Sequence, residues 1–243
     1  MNNFISRNKN TLGITLCVIA FALITLVYFS PIIQGKRIKQ HDIEMYRGMQ
    51  QEINDFKDKT GEQSLWTNSM FGGMPAWNIS VSQNSNLVTY INKVLTLGFP
   101  HPIGAVFVSM LGFFILLLVL DCKIWVSFIG ALAYGFTSYL FIIIGAGHNT
   151  KAVAMAYMAP VIAGIILTYK GKYLWGAVLT AIALALEIRA GHLQITYYLL
   201  LIVVCLVIAE LIEAIKQKRY SHFLKASGIL SIVAVIAILT CTT

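Results

Sequence analysis

The amino-acid sequence predicts an all-α polytopic bundle of about seven membrane-spanning helices, because apolar runs of ~20 residues cross a ~30 Å hydrocarbon core. Three observations lead there. The 243 residues are 58% hydrophobic and only 12% charged, about half the charge of a soluble domain. Long apolar runs recur near 11–30, 103–120, 124–145, 152–169, 173–190, 195–213 and 226–243. The one long interruption, 31–102, reads as a loop that carries an amphipathic helix. The chain 1–243 is thus a single membrane domain.

The first run exceeds the apolar length of a cleaved signal peptide, and "SPIIQGKR" follows it with no small-x-small site, so it reads as a span. Placing the N-terminus in the cytoplasm puts Arg7, Lys9, Lys123, Lys170, Lys172, Lys216, Lys218, Arg219 and Lys225 inside. The short outer loops then hold only Lys151 and Arg189, which is the positive-inside bias. Loop 31–102 is left out of that comparison, since long loops translocate regardless of charge; it falls on the extracytoplasmic side. The formal charge of +8 comes from this bias, and no nucleic-acid partner follows from it. The cysteines (Cys17, Cys122, Cys205, Cys241) lie in or beside spans with no CxxC pair, so neither a disulfide framework nor a zinc site is indicated.

Within the loop, Met45, Met49, Ile53 and Phe56 recur at helical spacing, predicting a surface helix over 42–60. Asp42 stands at its N-cap and Gly61 at C′. The next stretch, "LWTNSMFGGMPAW", joins aromatics suited to the membrane interface to a Gly-Gly-Pro turn. It is an interfacial anchor, or a site where Gly72 and Gly73 admit a ligand beside Trp66 and Asn68. Asp121, beside Lys123, is a boundary residue.

Two more polar clusters fall on the same side. "GHNTKA" opens the fourth span, where Asn149 or Thr150 can cap the helix. Its dipole, with Lys151, favours an anion; a plain cap with Lys151 reaching the headgroups is the alternative. "LEIRAGHLQ" places Glu187 and Arg189 within or at the end of an apolar span, where ionisable groups are costly, usually paired, and candidates for function. Two residues apart on a helix, they face differently. The expected partners are Lys151 or His192 for Glu187, and Asp42 or a phosphate for Arg189, unless a salt bridge simply holds the bundle. His192 and Gln194 complete the cluster.

The four segments "QHDIEMYRG", "SLWTNSMFGGMPAW", "GHNTKAVAMAYMAP" and "LEIRAGHLQITYY", in this order behind a first span, resemble the YfhO-like family of bacterial membrane proteins in its Bacteroidetes-type form. That family is similar to the GT-C glycosyltransferases. The resemblance implies a GT-C-like fold in the bacterial cytoplasmic membrane. It implies transfer of a sugar from a polyprenyl-phosphate donor to a cell-envelope acceptor on the extracytoplasmic face. It puts Asp42 in the position of the catalytic acid, with Glu44 as its neighbour. His148, Lys151, Arg189 and His192 then serve the phosphate, with Glu187, Gln194, Trp66, Asn68, Gly72 and Gly73 as further substrate contacts. No cofactor is required; a divalent metal between Asp42 and Glu187 is an option. The family's members are longer, so the chain is expected to be an N-terminal fragment. Two other classes stay open: a transporter or lipid flippase using Glu187 and Arg189, and a non-catalytic membrane subunit.

Overall fold

A computed structural model describes residues 2–80 and 86–241, with side chains from residue 11 onward. The elements in chain order are α1 (Asn2–Tyr28), α2 (Ser30–Ile33), α3 (His41–Met49), α4 (Gln51–Thr60), β1 (Trp66–Thr67), β2 (Met74–Pro75), a 3-10 turn (Ala76–Asn78), α5 (Val88–Leu95), α6 (Ile103–Val119), α7 (Ile124–Gly135), α8 (Ser138–Ala146), α9 (Asn149–Tyr169), α10 (Tyr173–Arg189), α11 (Leu193–Lys216) and α12 (Tyr220–Leu239). The protein is a membrane-embedded helical bundle. Five stretches are long and apolar enough to cross a membrane: α1 from Thr11, the α7–α8 pair, α9, α11 and α12. The runs 103–120 and 173–190 are the 17-residue helices α6 and α10, each about 25 Å long at 1.5 Å per residue.

Helix α9 sits at the centre, with α6 and α10 against it. Water gives little drive to bring helices together inside a bilayer, so close backbone approach through small residues does that work. Gly164 and Gly176 face each other: a Cβ on Gly164 would run into Thr180 and the Gly176 carbonyl, and one on Gly176 into Thr168 and the Gly164 carbonyl. Thr168 and Thr180 donate their hydroxyls to the carbonyls of Gly164 and Gly176 on their own helices, and these same hydroxyl oxygens are what a Cβ on the facing glycine would meet. On the other flank, a Cβ on Gly112 of α6 would lie 2.7 Å from Pro160 Cδ. The aromatic core, Phe21, Phe107 and Phe114 with Met110, fills the space between α1, α6 and α7.

Polar contacts close the two ends of the bundle. At one end Lys170 donates to the Asp121 carboxylate and to the Val119 carbonyl, both at 2.5 Å, so Asp121 clasps the end of α9, and its partner is Lys170. At the same end His222 donates from Nε2 to the Tyr169 carbonyl (2.7 Å) and accepts at Nδ1 from the Tyr173 hydroxyl (2.8 Å). The opposite end gathers segments 30–80 and 86–102, the α8–α9 turn, the α10–α11 turn and the end of α12. There Gln40 reaches the Ile144 carbonyl, Asn86 donates to the Thr240 carbonyl (2.8 Å), and Cys241 donates to the Ala185 carbonyl.

Several sequence expectations change. The surface helix over 42–60 is two helices, α3 and α4, meeting at Gln50, whose side chain donates to the Ile79 carbonyl. Of its apolar stripe, Ile53 is buried with Met49 against it, whereas Met45 and Phe56 are exposed. Gly61 does close α4, in the left-handed conformation. The span expected at 124–145 is broken between Gly135 and Ser138 into α7 and α8. The last helix starts at Tyr220 rather than 226, and residues 242–243 of that predicted span lie outside the described residues, as do the side chains of Arg7 and Lys9.

Candidate functional site

The site is built on the turn between α8 and α9. Gly147 takes φ 108°, and a Cβ there would meet Asp42 Cβ at 3.1 Å, the Ile43 nitrogen at 3.2 Å and Gln40 Cβ at 3.3 Å. Only glycine lets the start of α3 press so closely onto this turn. Gln40 and Asn149 then pair through their amides: Gln40 Nε2 donates to Asn149 Oδ1 (2.9 Å) and Asn149 Nδ2 to Gln40 Oε1 (3.3 Å). Gln40 also donates to the Ile144 carbonyl at 2.5 Å. Two residues further on, Asp42 Oδ2 lies 3.4 Å from His148 Nε2. Asn149 also shares a cavity wall with His101, so one residue brings the first loop, the fourth predicted span and the entry to α6 together.

On the far side of Asn149 opens a cavity of about 370 Å³ lined by Thr89, Asn92, His101, Asn149, Thr150 and Arg189. A smaller hollow of about 140 Å³ shares Asn92 and His101 with it and reaches Tyr157, whose hydroxyl donates to Asn92 Oδ1 at 2.5 Å. Below runs an apolar groove of about 370 Å³ between α6, α9 and α10, sharing Tyr157 with the hollow and Leu186 with the cavity. A cavity of mixed lining, with Val153, Leu186 and Ala190 beside its polar groups and a guanidinium in its wall, therefore adjoins an apolar groove.

The two histidines at this end, His101 and His192, are both pushed toward the neutral form. Protein crowds His101, and desolvation pushes its pKa below the usual histidine value despite an opposing pull from the Asn149 side chain, while the ring stays accessible through the cavity it lines. His192 is pushed down too, first by desolvation and then by the charges of Lys151 and His148, which places these three within electrostatic reach of one another. Lys151 lies over the Tyr139 ring at 5.2 Å, a cation–π contact.

Other predicted site residues land differently. Neither Asn149 nor Thr150 caps α9; His148 holds the N-cap position without a side-chain bond. Gln40, not Asp42, is the N-cap residue of α3, and Asp42 is in its first turn. Asp42 pairs with His148 rather than Arg189. Glu187 is fully buried, and its partner is Thr196 of α11 (3.0 and 3.2 Å), not Lys151 or His192. Arg189 lines the cavity, whose walls include neither Asp42 nor Lys151. Glu44 lines a separate hollow of about 280 Å³ with Arg37, Lys39 and Arg47. Gln194 donates to Tyr198 on its own helix.

The aromatic–glycine loop is organised by a residue the sequence did not single out. Glu52 Oε2 accepts the Thr67 hydroxyl and the backbone N–H groups of Asn68 and Ser69, both at 2.9 Å. The Thr67 hydrogen bond first, then the backbone donors, hold its carboxyl below the usual glutamate value against some desolvation. Gly73 serves Trp66: a Cβ there would lie 2.8 Å from the indole Nε1. Gly72 faces open space. Trp66, Asn68, Gly72 and Gly73 do not line the cavity.

Gln40, Asn92 and His101 were missed. For Asn92 a signal existed: Val88, Asn92 and Leu95 share one helical face, which marks an element whose polar residue points inward. Among the described residues no three His, Cys, Asp or Glu side chains converge as a metal-ligand set. Comparison of the chain with protein-family models, curated proteins and solved structures gives no match.

Proposed function

We propose that this protein is a membrane glycosyltransferase of GT-C type. In this reading it crosses the bacterial cytoplasmic membrane seven times, α6 and α10 included, with the N-terminus inside. It takes a sugar from a polyprenyl-phosphate donor to a cell-envelope acceptor on the outer side. The observation that supports the reading is the adjacency of the cavity at Arg189, with Asn92, His101 and Asn149 in its wall, to the apolar groove along α6, α9 and α10. A ligand with a charged phosphate and a long hydrocarbon tail matches both ends.

In this reading Asp42, which stands on the neighbouring α8–α9 turn beside His148 and not in the cavity wall, takes the proton of an acceptor hydroxyl that approaches from that turn. The hydroxyl oxygen bonds to the anomeric carbon as the bond from that carbon to the phosphate oxygen breaks. The electron pair leaves with the polyprenyl phosphate, whose growing charge is met by Arg189 and the N-terminus of α9. A base of this kind supplies ~10²–10⁴-fold.

The test uses membranes carrying the chain and a radiolabelled polyprenyl-phosphate sugar. Transfer to envelope material is expected, lost in Asp42→Asn and weakened in donor affinity by Arg189→Gln. Unimpaired transfer by Asp42→Asn sinks the assignment of the base. Flux of the intact lipid-linked sugar without transfer identifies a flippase instead.

A further inference from the structure

Helix α5 turns opposite faces to opposite surroundings. Inward, Val88 is buried, Asn92 and, at the exposed edge, Thr89 line the Arg189 cavity, and Leu95 lines the apolar groove. Outward, Leu87 is 76% exposed, Tyr90 63%, Ile91 39% and Val94 72%, with Leu97 of the following turn at 55%. Lys93 is the helix's one charged residue. An apolar strip of this kind in water is an aggregation hazard; at a bilayer surface it is the buried face of an interfacial helix.

The placement of α5 decides between the two. Asn86 ties the start of α5 to the Thr240 carbonyl at the end of α12, α5 touches α10, and residues 96–102 lead directly into α6, whose first residue Ile103 is fully buried. The helix therefore lies beside the ends of α10 and α12, and both of those helices also expose large apolar side chains, Trp175 and Val178 on α10 and Ile232 and Ile236 on α12. Tyr90 suits the headgroup level, and the Lys93 stem reaches water from there.

We propose that α5 is seated in the bilayer interface, its Leu87–Tyr90–Val94 strip in contact with lipid, and forms the membrane-facing wall of the cavity. The cavity then borders the plane of the membrane, and an amphiphile reaches it sideways, past α5. The proposal does not depend on the transfer chemistry and holds or fails whatever the cavity binds.

The test places single cysteines at Tyr90→Cys, Val94→Cys and Thr89→Cys in the full chain with its native cysteines replaced. Nitroxide labels are attached and the protein is reconstituted in phosphatidylethanolamine–phosphatidylglycerol vesicles. Labels at 90 and 94 are expected to meet oxygen several-fold more readily than a water-soluble nickel chelate, and the label at 89 to show the reverse. A preference for the nickel chelate at 90 and 94 overturns the proposal in favour of a water-exposed helix. Shielding from both reagents overturns it in favour of a protein partner or second copy. Phosphocholine lipids brominated near the headgroup provide a label-free check through Val94→Trp, whose emission they are expected to quench more strongly than that of the wild-type tryptophans; equal quenching counts against the proposal.

Discussion

The Asp42 carboxylate lies 3.4 Å from His148 Nε2, joining the first helix of the loop to the turn that opens α9. The pair sits on a surface where both side chains are about half exposed, so its contribution to stability is at most about 1 kcal/mol. Asp42→Asn is therefore expected to leave thermal unfolding in detergent almost unchanged while lowering sugar transfer by ~10²-fold or more. A parallel fall in stability and activity points to a structural role for Asp42.

Gln40 makes the deeper connection. Gln40→Ala removes its bonds to Asn149 and to the Ile144 carbonyl, each worth ~0.5–1.5 kcal/mol. The variant is expected to lose about 1–3 kcal/mol by denaturant titration and to become more sensitive to trypsin at Lys36–Lys39. Unchanged cleavage there argues that α3 is held by other contacts.

The α9–α10 crossing offers a test of the fold itself. Gly164→Ala and Gly176→Ala each drive a methyl into the facing helix, and overpacking of this kind costs about 1–3 kcal/mol. Gly228 of α12 has nothing within 4 Å of its missing Cβ. Gly228→Ala is expected to be neutral or slightly stabilising, by no more than about 1 kcal/mol. Equal effects at all three positions in unfolding titrations rule out the close crossing as the source of the cost.

Glu52 supplies a pH dependence. Its carboxyl is held below the ordinary glutamate value by Thr67 and the Ser69 and Asn68 amides, so the ionised form is the one that stabilises the loop. That contribution is fully present above the unfolded glutamate pKa of about 4.3 and is lost as pH falls through the lowered folded value. Hydrogen exchange at the Asn68 and Ser69 amides, corrected for the intrinsic rate, is expected to be protected at neutral pH. It is expected to lose protection in Glu52→Gln, and in the wild type only in acid. Protection that survives Glu52→Gln assigns those amides another acceptor.

Hydropathy made the long helices and their order readable, because a span must satisfy its own backbone and hide it behind apolar side chains. It also brought the turn at 147–151 and the end of α10 to one end of the bundle. Partners were harder. Glu187 was paired on paper with a cation, yet the structure gives it Thr196, a residue with no charge to attract attention. Asp42 was expected to cap its helix, but the cap position went to Gln40, whose longer side chain reaches across to Asn149. His101 and Asn92 stayed hidden because their roles depend on contacts between elements distant in sequence. The break within 124–145 was invisible to hydropathy, since Gly135, Phe136 and Thr137 interrupt hydrogen bonding without interrupting apolarity.

That break has a mechanical meaning. Below it, α7 is bedded against α6 and α1; above it, α8 rests on α9 and carries the turn on which Asp42 and Asn149 meet. Phe136 and Phe141 flank the joint and pack with Tyr28. A continuous rod would carry any displacement of that turn down the full thickness of the molecule. With the rod broken and the joint filled by aromatics, the turn takes its position from α9 and from the loop helix that presses on Gly147, and the α6 and α1 contacts that seat α7 act on the lower rod.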